Sequence, residues 1–579
     1  MKKIILVVLS AVMALSITGM TACGDGKEYS VTFDKNCYAE VIVPSGLTVK
    51  GGGKITEPET PSREGYSFTG WYSDASLTEK WDFMKDAVKK ETVLYAGWMR
   101  SGVTDKISYP DTDKDFSKLY TPGQQEAAYD YKTYFLPSKN GSVQPYVGDT
   151  MPYYENGTYY IYYLKDGGDS YNHSIFVATT KDFVNYEERG EVVLESDRGD
   201  AQDSWIGTGS LVKVENKYYF FYTGHNGSES KEFNETIMVA EGSSPTNFVK
   251  KTGWQITPPA SLGQKRDFRD PNAVYDPESG KITLTVTAAQ EGRARILKLT
   301  LDKDLSNVVY NGIIFTDSTG KYMNLECSDT FKVGDKWYLT YSAQDDTMFY
   351  ASSDNEYGPY DEPKILDGKL FYAAKHVSDG TDTYLVGWAR RSESVSSTQD
   401  VSGWAGNMIA QKVVSDGNGG IYLAPVDYSS LLKTRRALAV NSTSVVLESG
   451  SRISYTDAFN CYERYIVEGD LSFTNGGEFG FAFDYNGTEN KYKTIYINPA
   501  KGVIGLAFNK GSTVITEIPV SLSAKKEYSF KYMQEGSVGV FYIDGKVALT
   551  VRLYGCTGKN VKLFASNNNV TLSSVTIYT

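Results

Sequence analysis

Along most of this chain, apolar and aromatic residues alternate with polar ones at the two-residue period of a half-buried strand. Turns rich in Gly, Asn and Asp break the alternation at short intervals. Between about 131 and 430 one unit recurs: a turn with Gly or Asn, an aromatic strand, a second strand, and a polar loop. The instances are YYENGTYYIYYL, VKVENKYYFFYTG, VYDPESGKITLTVTA, FKVGDKWYLTYSA and VSDGTDTYLVGWA. They stand roughly 45 to 65 residues apart, the size of one four-stranded propeller blade, and no long amphipathic helical pattern separates them. The pattern predicts a five-bladed β-propeller over 131–430, with the heads of its inner strands facing a central funnel. Residues 440–579, which include GGEFGFAFDYNG, KTIYINPAKGVIGLAFN and GVFYIDGKVALTV, predict a two-sheet β-sandwich. Residues 29–98 read as a separate small β unit. Residues 99–130, rich in Asp, Ser, Thr and Pro, read as a linker. The fold class expected is therefore all-β throughout.

Length and charge narrow the partners. A chain of 579 residues exceeds one core, so several domains are expected. The net charge of −12 argues against nucleic acid or an anionic membrane surface and suits a neutral substrate. With 45 Tyr and 8 Trp, aromatics are 13% of the chain, which fits β-structure and supplies ring faces for sugars.

The first residues, MKKIILVVLSAVMALSITGMTACGDG, place two lysines before an apolar run and then small residues, the order of an export signal. The stretch 1–23 resembles a bacterial lipoprotein signal, which implies that Cys23 is lipidated and anchors an extracellular protein to the bacterial cell envelope. The other cysteines, Cys37, Cys327, Cys461 and Cys556, are scattered with no CxxC pair, so no disulfide framework is expected. Only three His occur, His173, His225 and His376, and none lies in a metal-ligand cluster. A His-based triad, a metal site and a cofactor are therefore not expected. Within 29–98, Pro61, Arg63, Gly65-Tyr66, Phe68, Gly70-Trp71-Tyr72, Trp81-Asp82-Phe83 and Leu94-Tyr95-Ala96-Gly97-Trp98 are similar to the Listeria–Bacteroides repeat, a small β-grasp-like module of cell-surface proteins. That resemblance implies a spacer or attachment role.

Three acidic motifs head different predicted blades: Asp149 in QPYVGDTMPYYENG, Arg269-Asp270-Pro271 in RDFRDPNAVYD, and Glu326-Cys327 in YMNLECSDTFKV. Each alone is weak, since Asp-Pro and Gly-Asp are common turn pairs. Glu326 is the hardest to assign to structure, because it interrupts an apolar strand pattern and burying an unpaired carboxylate costs several kcal/mol. A propeller brings blade heads to one axis. Carboxylates meeting there split into a proton donor and an ionised partner, as glycoside hydrolysis requires.

The order Asp, Arg-Asp-Pro, Glu-Cys resembles glycoside hydrolase family 32, the retaining β-fructosidases, whose propeller-plus-sandwich fold matches 131–579. The resemblance implies Asp149 as nucleophile, Asp270 as transition-state stabiliser and Glu326 as general acid/base. It also implies substrate contacts from Arg269, Trp205, Thr208 in Thr208-Gly209-Ser210, Cys327, and Trp404 in the late segment that follows Trp388. Retention requires the two reacting carboxyl groups about 5 Å apart. This chain departs from the family at Val147-Gly148-Asp149-Thr150-Met151-Pro152, where the usual Trp-Met-Asn-Asp-Pro-Asn-Gly lacks a counterpart and the Asn before the nucleophile is replaced by Gly148. It also has Ser328-Asp329 after Glu-Cys where the family has Pro-Asp. The implied substrate is a fructan, a fructo-oligosaccharide or sucrose, taken by a monomer. Levan against inulin, exo against endo action, and hydrolysis against transfer all stay open.

Two other readings stand beside this one. A family 43-type inverting arabinofuranosidase or xylosidase also uses a five-bladed propeller with an Asp and a Glu. A non-catalytic surface glycan-binding protein would use 29–98 and the sandwich and keep the propeller as scaffold. Tyr146, Trp205 and Trp404 are expected either at the mouth or packed between blades. His225 is expected to satisfy backbone groups in a loop.

Overall fold

The computed structural model describes residues 26–100 except 36–40, 64–65 and 74–78, and residues 131–579 except 140–143, 167–172, 197–198, 264, 392–403, 429–434, 437–443, 462, 485–491, 509–512, 555 and 557–559. The export signal with Cys23, and 101–130 of the expected linker, lie outside the described residues. The chain divides into a unit of residues 1–102 and a unit of residues 103–579.

In the first unit, the strands Glu28–Asp34, Leu47–Lys50, Tyr66–Tyr72 and Thr92–Arg100 form one mixed sheet. Its central pair, Glu28–Asp34 with Thr92–Arg100, is parallel. Trp71 is fully enclosed and receives Phe33 and Phe68 edge-on at 4.8 and 5.3 Å. This is how so short a segment fills a core: one large ring occupies the volume that several aliphatic side chains would otherwise fill.

Among its described residues, the second unit is built mainly of strands. Five antiparallel four-stranded meanders follow one another from Tyr146 to Pro425. Their first strands are Tyr146–Glu155, Trp205–Val214, Phe268–Asp276, Leu325–Val333 and Phe371–Ser378. The last meander joins the first through the pair Gly406–Val147, so the two share one sheet. Two further sheets, of seven and six strands, follow and enclose a second core that includes Phe481, Phe530, Phe541 and Leu563.

The two parts of this unit meet through buried polar contacts. Arg552, fully enclosed, donates to the carbonyls of Ala389 and Arg390 and to Asn407 Oδ1. Glu535 accepts the backbone N–H groups of Lys132, Thr133 and Tyr134. Both arrangements satisfy groups that would otherwise be buried without partners.

Every first strand carries a bulge at the same height. Two residues face one across the ladder at Gly148-Asp149, Asp270-Pro271, Cys327-Ser328 and Ala373-Ala374, and Thr208 is the extra residue in the second meander. Asp270, Cys327 and Ala373 accordingly take left-handed φ values of 58°, 51° and 52°. A bulge breaks the alternation and re-aims a side chain, and non-glycine residues held in this region store about 1–3 kcal/mol each. The two motifs that read locally as turns, Gly-Asp and Arg-Asp-Pro, are therefore bulges inside strands.

Candidate active site

The five bulges gather the predicted acidic residues into one network. Asp149, half-buried, accepts hydrogen bonds from Thr208 Oγ1 on Oδ2 at 2.7 Å and from Trp388 Nε1 on Oδ1 at 3.1 Å. Both oxygens are thus oriented by side chains from two other meanders. Thr208 Oγ1 lies 3.8 Å from Cys327 Sγ, and the Cys327 backbone N–H donates to Asp270 Oδ2 at 2.8 Å. Asp270, 4% exposed, donates its own N–H to Thr223 Oγ1 at 3.0 Å. Glu326, the neighbour of Cys327, receives Arg269 Nη2 at 3.2 Å on one oxygen and the Tyr372 hydroxyl on the other. The interruption that Glu326 makes in its apolar strand is explained by these two partners.

Burial and crowding change the acidity of two of these groups, Asp149 and Asp270. Burial is the largest influence on Asp149 and raises its pKa. The donors Thr208 and Trp388 oppose burial, and the charge of Glu326 adds to it. Burial pushes Asp270 up to about 7. Arg269, the Cys327 N–H and Lys375 pull it back, and Glu326 pushes it higher. Lys375, itself buried, donates to the carbonyl of Gly209 at 2.8 Å.

Arg269 is anchored from behind. It reaches Asp267 at 2.9 Å and Glu235 at 3.3 Å while presenting Nη2 to Glu326. Burial alone would raise the pKa of Glu235, but His225, Arg269 and the Phe268 N–H outweigh it and hold it at about 2. His225 therefore serves a carboxylate, at 3.4 Å, rather than backbone groups, and it ends a strand rather than lying in a loop. Trp205, 44% exposed, stacks on His225 with ring centroids 5.3 Å apart.

Trp404 accounts for the glycine before Asp149. A Cβ at residue 148 would lie 2.2 Å from the Trp404 ring, so the indole occupies the space where a side chain would stand. The same indole stacks on His173 at 4.3 Å and meets Trp388 edge-on at 6.2 Å. Arg391 holds it by donating to the Trp404 carbonyl at 3.0 Å and pairing with Asp166 at 2.7 Å. Arg391 also covers the Tyr146 ring at 4.2 Å. Tyr146 is thus packed inside and is not a surface for substrate.

The network brings together Asp149, Thr208, Arg269, Asp270, Glu326 and Cys327. Trp404 joins through its contact with Gly148, and Trp205 through His225. Sequence reasoning missed Tyr372, Lys375, Glu235 and Arg390, whose guanidinium lies 5.1 Å from the Tyr372 ring and 5.4 Å from that of Trp388. Tyr372 sits in FYAAKHVS, where nothing local separates it from a core tyrosine. It stands opposite Trp388 just before the fifth bulge, a relation that only the fold shows.

Comparison with known proteins places the fold. Residues 149–425 match the family described as Glycosyl hydrolases family 32 N-terminal domain, and residues 29–97 match the Listeria-Bacteroides repeat domain. A sucrose-6-phosphate hydrolase of Escherichia coli is 23% identical over 276 residues, which are 44% of this chain and 56% of that protein. The chain thus spans about half the length of this relative. A putative Gly-rich membrane protein of Evansella cellulosilytica is 46% identical over 71 residues, 12% of this chain and 8% of that protein. Among solved structures, the Aspergillus kawachii β-fructofuranosidase complexed with glycerol superposes with a TM-score of 0.62 at 17% identity, covering 83% of this chain and 98% of that one. Residues 149–425 therefore carry a glycoside hydrolase family 32-like fructosidase fold domain, and residues 29–97 carry a repeat module related to those of bacterial surface proteins.

Proposed function

We propose that this chain is a retaining β-fructosidase that cleaves β-fructofuranosyl linkages of fructans, fructo-oligosaccharides or sucrose outside the cell. The observation that carries this reading is the meeting of Asp149, Asp270 and Glu326 at the bulges of separate meanders, joined through Thr208 and Cys327. In this reading the five meanders of 131–430 are the blades of a propeller and 440–579 a sandwich. Residues 29–98 attach or space the enzyme, 99–130 link it, and 1–23 direct lipid anchoring through Cys23.

Glu326 donates its proton to the leaving oxygen while Asp149 attacks the anomeric carbon and forms a fructosyl ester. Glu326, now a base, then takes a proton from water, which attacks the anomeric carbon from the face the leaving group vacated and releases Asp149, so configuration is retained. Asp149 attacks only when ionised, and the Thr208 and Trp388 donors favour that state against burial. Tyr372 and Arg269 grip the two oxygens of Glu326 and fix its aim. The transition state carries positive charge on the sugar, and Asp270, when ionised, lowers its energy. Arg269 and Trp205 are further substrate contacts, and Trp404 forms the wall beside Asp149.

Incubation with sucrose, kestose, inulin and levan, followed by product sizing and by NMR of the first anomer released, tests the proposal. Fructose released with retained configuration supports it. An inverted product from an arabinoside or xyloside favours the family 43-type mechanism. Tight glycan binding without release of any sugar favours a binding protein.

A further inference from the structure

A second concave surface lies away from the carboxylates, along the seam between the fifth meander and the seven-stranded sheet that follows it. It consists of two adjoining hollows of about 550 and 510 Å³ that share Pro425, Glu468 and Lys531. One wall comes from the hairpin end of the fifth meander, where Tyr384 pairs with Lys412. The bulges lie at the opposite end of the same strands. Trp388, which contacts Asp149, is four residues along from Tyr384, about 13 Å at strand rise. The groove is therefore separate from the site described above.

Its chemistry is selective. Half-buried tyrosine rings, Tyr384 and Tyr578 in one hollow and Tyr422 in the other, stand among Ile466, Val426 and Phe530. Between them run two ion pairs, Asp382 with Lys412 at 2.7 Å and Glu468 with Lys531 at 3.1 Å. Ring faces suit the C–H faces of a sugar, and paired carboxylates and ammonium groups offer acceptors and donors to hydroxyls. With Asp427, Asp470 and Asp544 added, acidic groups outnumber the two lysines, which disfavours a phosphorylated or otherwise anionic ligand. The local backbone departs from a plain sandwich strand. Ser574 and Val575 bulge opposite Gly469 beside the Glu468–Lys531 pair, and Ser574 takes φ 52°. Gly545, in a tight turn, leaves the Tyr422 ring uncovered, 3.6 Å from where a Cβ would stand.

We propose that this groove binds a neutral oligosaccharide stretch, namely a remote part of the polymer that is cleaved at Asp149 and Glu326. The identity of that polymer rests on the fructosidase reading, whereas the groove's preference for an uncharged glycan does not. Two sites on one chain raise the effective concentration of polymer at the catalytic funnel and give nothing to a short sugar too small to span them.

The test uses the full chain with Glu326→Gln to remove turnover. Retardation by inulin and by levan in native gels is compared with and without Lys412→Ala plus Lys531→Ala. Both lysines are well exposed, with 37% and 38% of each side chain accessible, so the change spares the cores. Tyr384→Ala is a second, independent variant. The expected result is an at least tenfold loss of polymer affinity in both variants. In the active background, kestose turnover stays at the parent value and the KM for polymer rises. Unchanged retardation in both variants, or no retardation of the Glu326→Gln parent by either polymer, overturns the proposal. Absence of kestose turnover in the parent instead sinks the fructosidase reading, and the gel comparison then still decides the groove.

Discussion

Replacing Asp270 by Asn separates the needs of catalysis from those of stability. The side chain is 4% exposed, and its φ of 58° lies in the region where Asn is at ease. The amide oxygen still accepts the Cys327 N–H. What changes is the charge. In the folded chain Asp270 is pushed up to about 7 from an ordinary value of 3.8. The folded state thus keeps its proton between pH 4 and 7 while the unfolded state releases it. Stability conferred by the neutral acid is lost as pH rises through that window and levels off above the folded pKa. A difference of roughly three units corresponds to about 4 kcal/mol, an upper figure because the new amide N–H groups also need partners. Asp270→Asn should equal the parent near pH 4 and exceed it by a few kcal/mol at pH 8, while fructoside turnover falls by orders of magnitude. Urea melts at half-unit pH steps, followed by tryptophan fluorescence, read the first effect. A variant weaker than the parent at pH 8, or a difference that does not change with pH, refutes the argument that burial strains this carboxylate.

Three further outcomes follow from named contacts. Tyr372→Phe removes the hydroxyl that holds Glu326, a charge-assisted bond worth about 1.5–3 kcal/mol, so kcat/KM should fall about 10- to 100-fold without loss of fold; unchanged kinetics contradict the contact. Gly148→Ala drives a Cβ into the Trp404 ring, so it should lower the melting temperature and raise KM, while adding Trp404→Ala should recover the stability; simple additivity in that double-mutant cycle excludes the contact. Glu235→Gln removes a carboxylate held at about 2, against 4.5 ordinarily, and should destabilise the protein by about 3 kcal/mol at neutral pH; because a depressed pKa stabilises above 4.5 and ceases to do so as pH falls through 2, acid urea melts should show the gap closing.

The strand content and the site were legible to different degrees. Stretches such as YYFFYTGH and TYYIYYL are short aromatic runs bounded by Gly and Asn turns, the length and composition of buried strands, so the meanders and the two-sheet region were readable from local pattern. The bulges were not. A bulge exists only relative to the partner strand, and the slip between Glu326 and Asp329 is defined by Ser342 and Thr340. Asp149 and Asp270 therefore looked like turn residues, although each lies inside a strand. Glu326 was visible because it violated its own strand's pattern. Its pairing with Arg269 and Tyr372 was invisible because both lie on other meanders. Gly148 read as a loss, the absence of an amide. The fold turns it into a vacancy filled by Trp404, a relation between residues that no local window contains.

The most direct measurement is mass spectrometry of the Glu326→Gln chain after brief exposure to fructosyl fluoride, whose leaving group needs no protonation. The account predicts that the peptide containing Asp149 gains one fructosyl unit, and that Asp149→Asn with Glu326→Gln gains none. A fructosyl unit on another residue, or an active parent whose first product has inverted configuration with no residue labelled, contradicts it.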